Sequence, residues 1–152
     1  MILIMDRLSF CVLGVVAALS LEGCQEKEET TPNSPLLDTR WVLVQVEETP
    51  INVSNSSNVH HSYIQFTKQS TTVGLAPCSS FGGTFSQGST AGQLAISQQA
   101  STKTVCAALN VEDKYLNALS RTVRYEISGK DLRLYDVTNS LRPLLVFEDS
   151  TK

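Results

Sequence analysis

The chain has 152 residues, 41% of them hydrophobic, and carries a formal net charge of -3. That length and composition suit one globular domain with short tails. The acidic balance, with Lys and Arg scattered along the chain, excludes the basic footprint that nucleic-acid binding needs.

Residues 1–23 read as a targeting segment. Arg7 precedes an apolar run, Leu8 to Leu21, broken by Ser9 and Ser20. The run is shorter than the roughly 20 apolar residues of a comfortable transmembrane span, so it fits a signal-peptide core. Translation from Met5 instead of Met1 would give a more ordinary start. The run ends in Leu21-Glu22-Gly23-Cys24, which resembles the bacterial lipobox, with Glu22 standing where a small residue is usual. That resemblance implies lipidation of Cys24 and cleavage just before it. A plain secretory signal followed by a chance cysteine is the other reading. Two or three acyl chains would hold the protein firmly, at about 0.8 kcal/mol per buried methylene. Gln25, in place of the inner-membrane-retaining Asp, points by the same resemblance to the outer membrane. The acidic run 25–29 is similar to surface-export tags and is equally a solvated tether. Residues 24–35 are expected to form a flexible tether, since Thr30 to Pro35 have too little apolar surface to offset ordering entropy. About 130 residues follow the signal segment, enough for one modest core at 36–148, with 149–152 as a tail.

Trp41 to Val46 reads as a strand with Trp41 and Leu43 on one face and Val42, Val44 and Val46 on the other. Trp41 is expected in the core. Pro50 to Asn58 is an Asn/Ser-rich loop, and its two N-glycosylation matches serve only as loop markers. His60-His61 sits at the loop edge, where adjacent side chains diverge and no further ligand pattern supports a metal. Ser62 to Thr67 places Tyr63 opposite Ile64 and Phe66. Lys68-Gln69-Ser70 turns into a strand from Thr71 to Leu75. Gly82 and Gly83 are read as permitting a bend or a positive φ.

One helix stands out. Asn110 is the expected N-cap, Glu112 and Asp113 suit the positive end of the helix dipole, and Val111, Tyr115 and Leu119 line up with Leu116 beside them. The helix should end near Arg121 or Thr122. Tyr125 and Ile127, then Leu132 and Leu134, form a hairpin around Ser128 to Asp131. Leu144 to Phe147 supplies a last strand, with Pro143 at its start. The fold class is therefore α+β, mainly β: a small curled antiparallel sheet, half-barrel-like, of about seven or eight strands packed with one helix.

Cys11 lies in the targeting segment and Cys24 is the lipidation candidate, so Cys78 and Cys106 remain. In an exported domain their expected state is a disulfide, stabilising by roughly 3–4 kcal/mol on the chain-entropy estimate. A redox pair and half of a metal site are the competing readings. No GxSxG motif and no phosphate-cradling glycine loop occurs. No catalytic residue, cofactor or metal is expected. Should the half-barrel have an open mouth, Tyr63, Phe81 and Phe85 are the candidate ligand contacts.

With these pieces placed, the chain resembles the META domain family of HslJ-like bacterial lipoproteins, from Leu37 to Phe147. Thr39-Arg40-Trp41-Val42-Leu43 matches the opening strand, and Ile64 and Phe66 match the second. The segment from Cys78 to Phe85 matches the family's first cysteine motif, and Thr102 to Cys106 the second. Glu112 to Leu119 matches the helix. The closing hairpin is matched by Val123, Tyr125, Ile127, Gly129, Leu132 and Leu134. Ser79 stands in place of the usual Asn, Pro77 in place of a Gly, and Asp38 in place of a Gly. The resemblance implies a compact β-rich fold with one helix, linked to envelope stress and drug tolerance, and no established reaction. The expected function is a non-catalytic envelope lipoprotein, held to the membrane by lipid, at the periplasmic face or the cell surface, with a protein, peptide or lipid partner. The alternatives are an accessory domain without a ligand and an enzyme of unknown type.

Overall fold

A computed structural model of the chain describes residues 32–51 and 62–150. The signal segment, Cys24, the acidic run and His60-His61 lie outside the described residues. Ten strands and one helix follow in the order β1 (Trp41–Val46), β2 (Thr49–Pro50), β3 (Tyr63–Phe66), β4 (Thr71–Leu75), β5 (Ser80–Gln87), β6 (Leu94–Ile96), β7 (Ala100–Ser101), α1 (Leu109–Arg121), β8 (Arg124–Ser128), β9 (Asp131–Tyr135) and β10 (Leu145–Asp149).

Eight strands run in the order β6-β5-β4-β3-β1-β10-β9-β8, with the two-residue β2 and β7 pairing to β1 and β5. The named pairings are antiparallel throughout. The two ends of this path nearly meet. Leu94 N–H donates to the Val123 carbonyl at 3.1 Å and Tyr125 N–H to the Gly92 carbonyl at 2.8 Å. The sheet thus curls further than a half-barrel, and these bonds pair part of its edge backbone.

Alternation builds the core. Ile64, Phe66, Leu132, Leu134, Leu145 and Phe147 are fully buried on the inner face, and Trp41 is buried as expected. β1 departs from simple alternation. The register with β10 steps from Leu43↔Phe147 to Gln45↔Val146, which leaves Val44 as an extra residue. This bulge moves Val46 onto the core face with Trp41 and Leu43, where period-two reading puts it with Val42 and Val44.

α1 buries Glu112, Tyr115, Ala118 and Leu119 and packs them against β1, β6 and β10. Val111 and Leu116 pack at its margin. The helix starts earlier than the Asn110 cap predicts, with Ala108 at the N-cap and no side-chain cap. The Ala108 carbonyl accepts from Val111 N–H and Glu112 N–H, so Asn110 lies inside the first turn. At the other end Thr122 caps the helix as read, its hydroxyl donating to the Ala118 carbonyl.

The stretch before β1 is strapped to the barrel. Ser34 N–H donates to the Gly129 carbonyl at 2.9 Å. Gly129 N–H donates to the Asn33 side chain, and the Ser34 hydroxyl to Asp149. Leu36 is buried, and its carbonyl accepts from the Trp41 indole. Among the described residues, contacts with the barrel thus include Asn33 and Ser34, within the stretch 24–35 read as tether.

Candidate functional site

Three segments converge where β1 ends and β10 begins. The turn Glu47-Glu48-Thr49, the end of α1 at Arg121 and the β9–β10 loop enclose a bowl of about 440 Å³. Its rim carries Glu47, Glu48, Asp136, Arg121 and Arg142, so three carboxylates face two guanidinium groups.

Each charge has a local cause. Arg121 closes the last turn of α1, where a cation complements the helix dipole. It donates to Asp136 at 2.5 Å and stands 3.7 Å from Glu47. Asp136 is nearly buried and organises its loop. It accepts the Thr138 hydroxyl at 2.7 Å, Thr138 N–H at 2.9 Å and Asn139 N–H at 3.1 Å. The Thr138 hydroxyl above all, with Arg121 and the two backbone amides, holds its carboxyl down from 3.8 to about 2 against the upward pull of burial. Asn139 extends the fold of the loop by accepting Leu141 and Arg142 N–H. Glu47 adopts a left-handed φ of 51° in the tight β1–β2 turn, a conformation that favours Gly or Asn. Its N–H donates to the Leu144 carbonyl, which ties the turn to the start of β10. Arg142 pairs with Glu48 in the open.

A second polar cluster lies at the opposite end of α1. Cys78 and Cys106 form a disulfide with a Cα–Cα distance of 5.6 Å. Beside it Glu112, 2% exposed, accepts Cys78 N–H at 2.8 Å and Ser79 N–H at 2.9 Å through one oxygen. Helix-start electrostatics accounts for its charge but misses this anchoring role. The Ser79 hydroxyl accepts Thr104 N–H at 3.0 Å. In this sequence a hydroxyl thus joins the two cysteine-bearing loops. Lys103 beside them has φ 53°.

The three aromatic candidates are not brought together. Phe81 is buried edge-on to Tyr115 at 5.6 Å between ring centroids, and Phe85 edge-on to Phe66 at 5.0 Å. Tyr63 lies on the other face, under the Arg40 guanidinium at 3.8 Å. Shallow depressions of about 370 and 260 Å³ reach Phe81 and Phe85 from outside. Gly82 and Gly83 have no positive φ. A Cβ at Gly83 would meet the Gln99 amide and the Ser97 hydroxyl, so close side-chain approach is what that glycine permits. Among the described residues no group of His, Cys, Asp and Glu could hold a metal ion. No described helix is long and apolar enough to cross a membrane.

The META domain family model matches residues 34–151, nearly the whole described chain. The chain belongs to the META domain family. Two solved structures share the fold. A DUF4847 family protein from Bacteroides vulgatus is similar with a TM-score of 0.56 and 14% identity, covering 77% of this chain and 96% of that one. A protein from Burkholderia xenovorans gives 0.58 and 20%, covering 77% and 85%. No curated protein matches. Asp38, just ahead of β1, has a φ of 60°, a left-handed conformation that Asp tolerates better than most side chains. Its N–H donates to the Phe66 carbonyl and its carboxylate meets Lys68 at 3.0 Å.

Proposed function

We propose that this META-domain chain is a non-catalytic, lipid-anchored recognition module of the cell envelope that supports envelope stress tolerance. It is held at the outer membrane through Cys24 and meets a protein, peptide or lipid partner. One observation carries this reading. The strap at Asn33 and Ser34 docks on the turn between β8 and β9 and on the end of β10, opposite the charged bowl. A chain anchored at Cys24 therefore turns the bowl away from its attachment, at a distance set by a tether of at most about 30 Å. The excess of carboxylates in the bowl favours a partner segment with basic side chains.

The chemistry of the buried carboxylates supports a binding role over a catalytic one. Glu112 and Asp136 each spend their acceptor capacity on backbone amides of the protein itself. Asp136, held near 2, stays ionised through the neutral range and has no proton to exchange there.

Cys24→Ala is expected to release the domain from membranes, and persistence in the membrane fraction would overturn the anchor. Glu48→Lys is expected to lose a basic partner recovered from detergent-solubilised membranes, and Arg142→Glu to retain or strengthen it. They should leave melting nearly unchanged, because so exposed a pair contributes at most about 1 kcal/mol. Equal recovery with both variants would favour an accessory domain without a ligand. That second reading draws on the internal pairing of Arg121 with Asp136 and of Arg142 with Glu48.

A further inference from the structure

The disulfide has surroundings that distinguish its two sulfurs. Ala108 N–H, at the N-cap of the thirteen-residue α1, donates to Cys106 Sγ at 3.3 Å. A thiolate on Cys106 would keep that donor and gain the positive end of the helix. Cys78 has the opposite setting. Its own N–H and that of Ser79 are already committed to the Glu112 carboxylate, whose negative charge opposes a thiolate nearby. Both cysteines are partly exposed, so a small thiol can reach them.

The loops that carry the cysteines are also held without the S–S bond. Ala76 N–H donates to the Ser79 carbonyl and Thr102 N–H to the Ser80 carbonyl. Glu112 holds the Cys78 turn, and Ser79 Oγ holds Thr104. None of these bonds involves a cysteine sulfur.

We infer that Cys78–Cys106 is a reversible thiol–disulfide exchange pair that accepts two electrons from an external dithiol, with Cys78 as the attacked sulfur and Cys106 as the leaving group. One thiolate of the dithiol attacks Cys78 Sγ. A mixed disulfide forms there, the Cys78–Cys106 bond breaks, and its electron pair leaves on Cys106. The second thiolate of the dithiol then attacks its own bound sulfur, closes the reductant's disulfide and releases Cys78 as a thiolate. The two protons of the dithiol pass to solvent and to the two cysteines. A lower leaving-group pKa speeds the first step. The pair's role is independent of the binding reading above and survives its failure.

The test uses the full chain and reads Cys78 and Cys106 separately by alkylation and peptide mass spectrometry, which sets Cys11 and Cys24 aside. In a titration with reduced and oxidised dithiothreitol, the pair is expected to open and close reversibly with an unchanged circular dichroism spectrum. In a brief exposure to glutathione quenched with acid, the adduct is expected on Cys78 several-fold more than on Cys106. Ala108→Pro deletes the donating N–H. Once its circular dichroism matches the parent, it is expected to reduce that ratio. Reduction only together with loss of the folded spectrum would make the bond a structural staple and overturn the inference. A predominance of adduct on Cys106 would overturn the assigned polarity.

Discussion

At the scale of single residues, polar groups placed inside the barrel decide more than their sequence positions suggest. Glu112 is a buried acceptor for two amides of a loop 33–34 residues away. Glu112→Ala is expected to leave those amides without a partner, at a cost of about 2–3 kcal/mol. Glu112→Gln keeps an acceptor and should cost less, and urea unfolding of the two variants measures the difference. Tyr115 presents the reverse case. Its ring fills the core between Phe81 and Phe147, but its hydroxyl has no hydrogen-bond partner among the described residues. Burial raises its pKa well above 10.0. Below that value the phenol is neutral in the folded and unfolded states alike. Above it the unfolded chain ionises first, so stability falls as pH rises. Tyr115→Phe is expected to raise the melting temperature at neutral pH and to flatten the alkaline loss. A lower melting temperature would mean that the hydroxyl has an unseen partner. Gly74 is a third such residue. A Cβ there would stand 2.3 Å from the Phe81 ring and 2.4 Å from the Tyr63 carbonyl. Gly74→Ala should force Phe81 out of its rotamer and cost about 1–3 kcal/mol, visible as a lowered urea midpoint.

At the scale of elements, connections hold the architecture as firmly as strands do. The β9–β10 loop is folded around Asp136, which also fixes the end of α1 through Arg121. Because this carboxyl is held near 2 instead of 3.8, its stabilising contribution is complete above about pH 4 and is lost as pH falls toward 2. Asp136→Asn is expected to destabilise at neutral pH by about 1–3 kcal/mol and to flatten the acid limb of the stability profile. An unchanged acid limb would show that another group governs it. The start of α1 is fixed in the same way by its neighbours. The chain is pinned at Cys106, and the Ala108 carbonyl takes the first helical amides, which displaces the local preference of Asn110.

At the scale of the whole molecule, the sheet nearly closes on itself and the helix packs against it, so stability is spread over one continuous core. The disulfide adds a constraint across a sequence separation of 28 residues. Chain entropy sets its contribution at about 3–4 kcal/mol. Since hydrogen bonds hold both cysteine loops, the Cys78→Ser/Cys106→Ser variant is expected to fold and to lose no more than that amount. Failure to fold would show that the loops depend on the bond.

Much of this was legible in the chain itself. Period-two runs such as Ile64 with Phe66 and Leu132 with Leu134 mark buried strand faces, because side-chain alternation follows from local geometry. The apolar stripe of α1 and its end near Thr122 are local in the same sense, and so is the turn at Ser128 to Asp131. The ordered cysteine, helix and hairpin motifs also carry the META family. Other features required the folded chain. The bulge that turns Val46 inward exists only against β10. Glu112 is an anchor only because the Cys78 turn passes beside it. The aromatic side chains of Phe81 and Phe85 became core because the curled sheet and α1 cover them. The bowl depends on three segments that are not contiguous in sequence. Sequence determines what each segment prefers by itself. Tertiary structure decides which of those preferences meet, because the energies of burial and of unpaired buried groups arise only between segments.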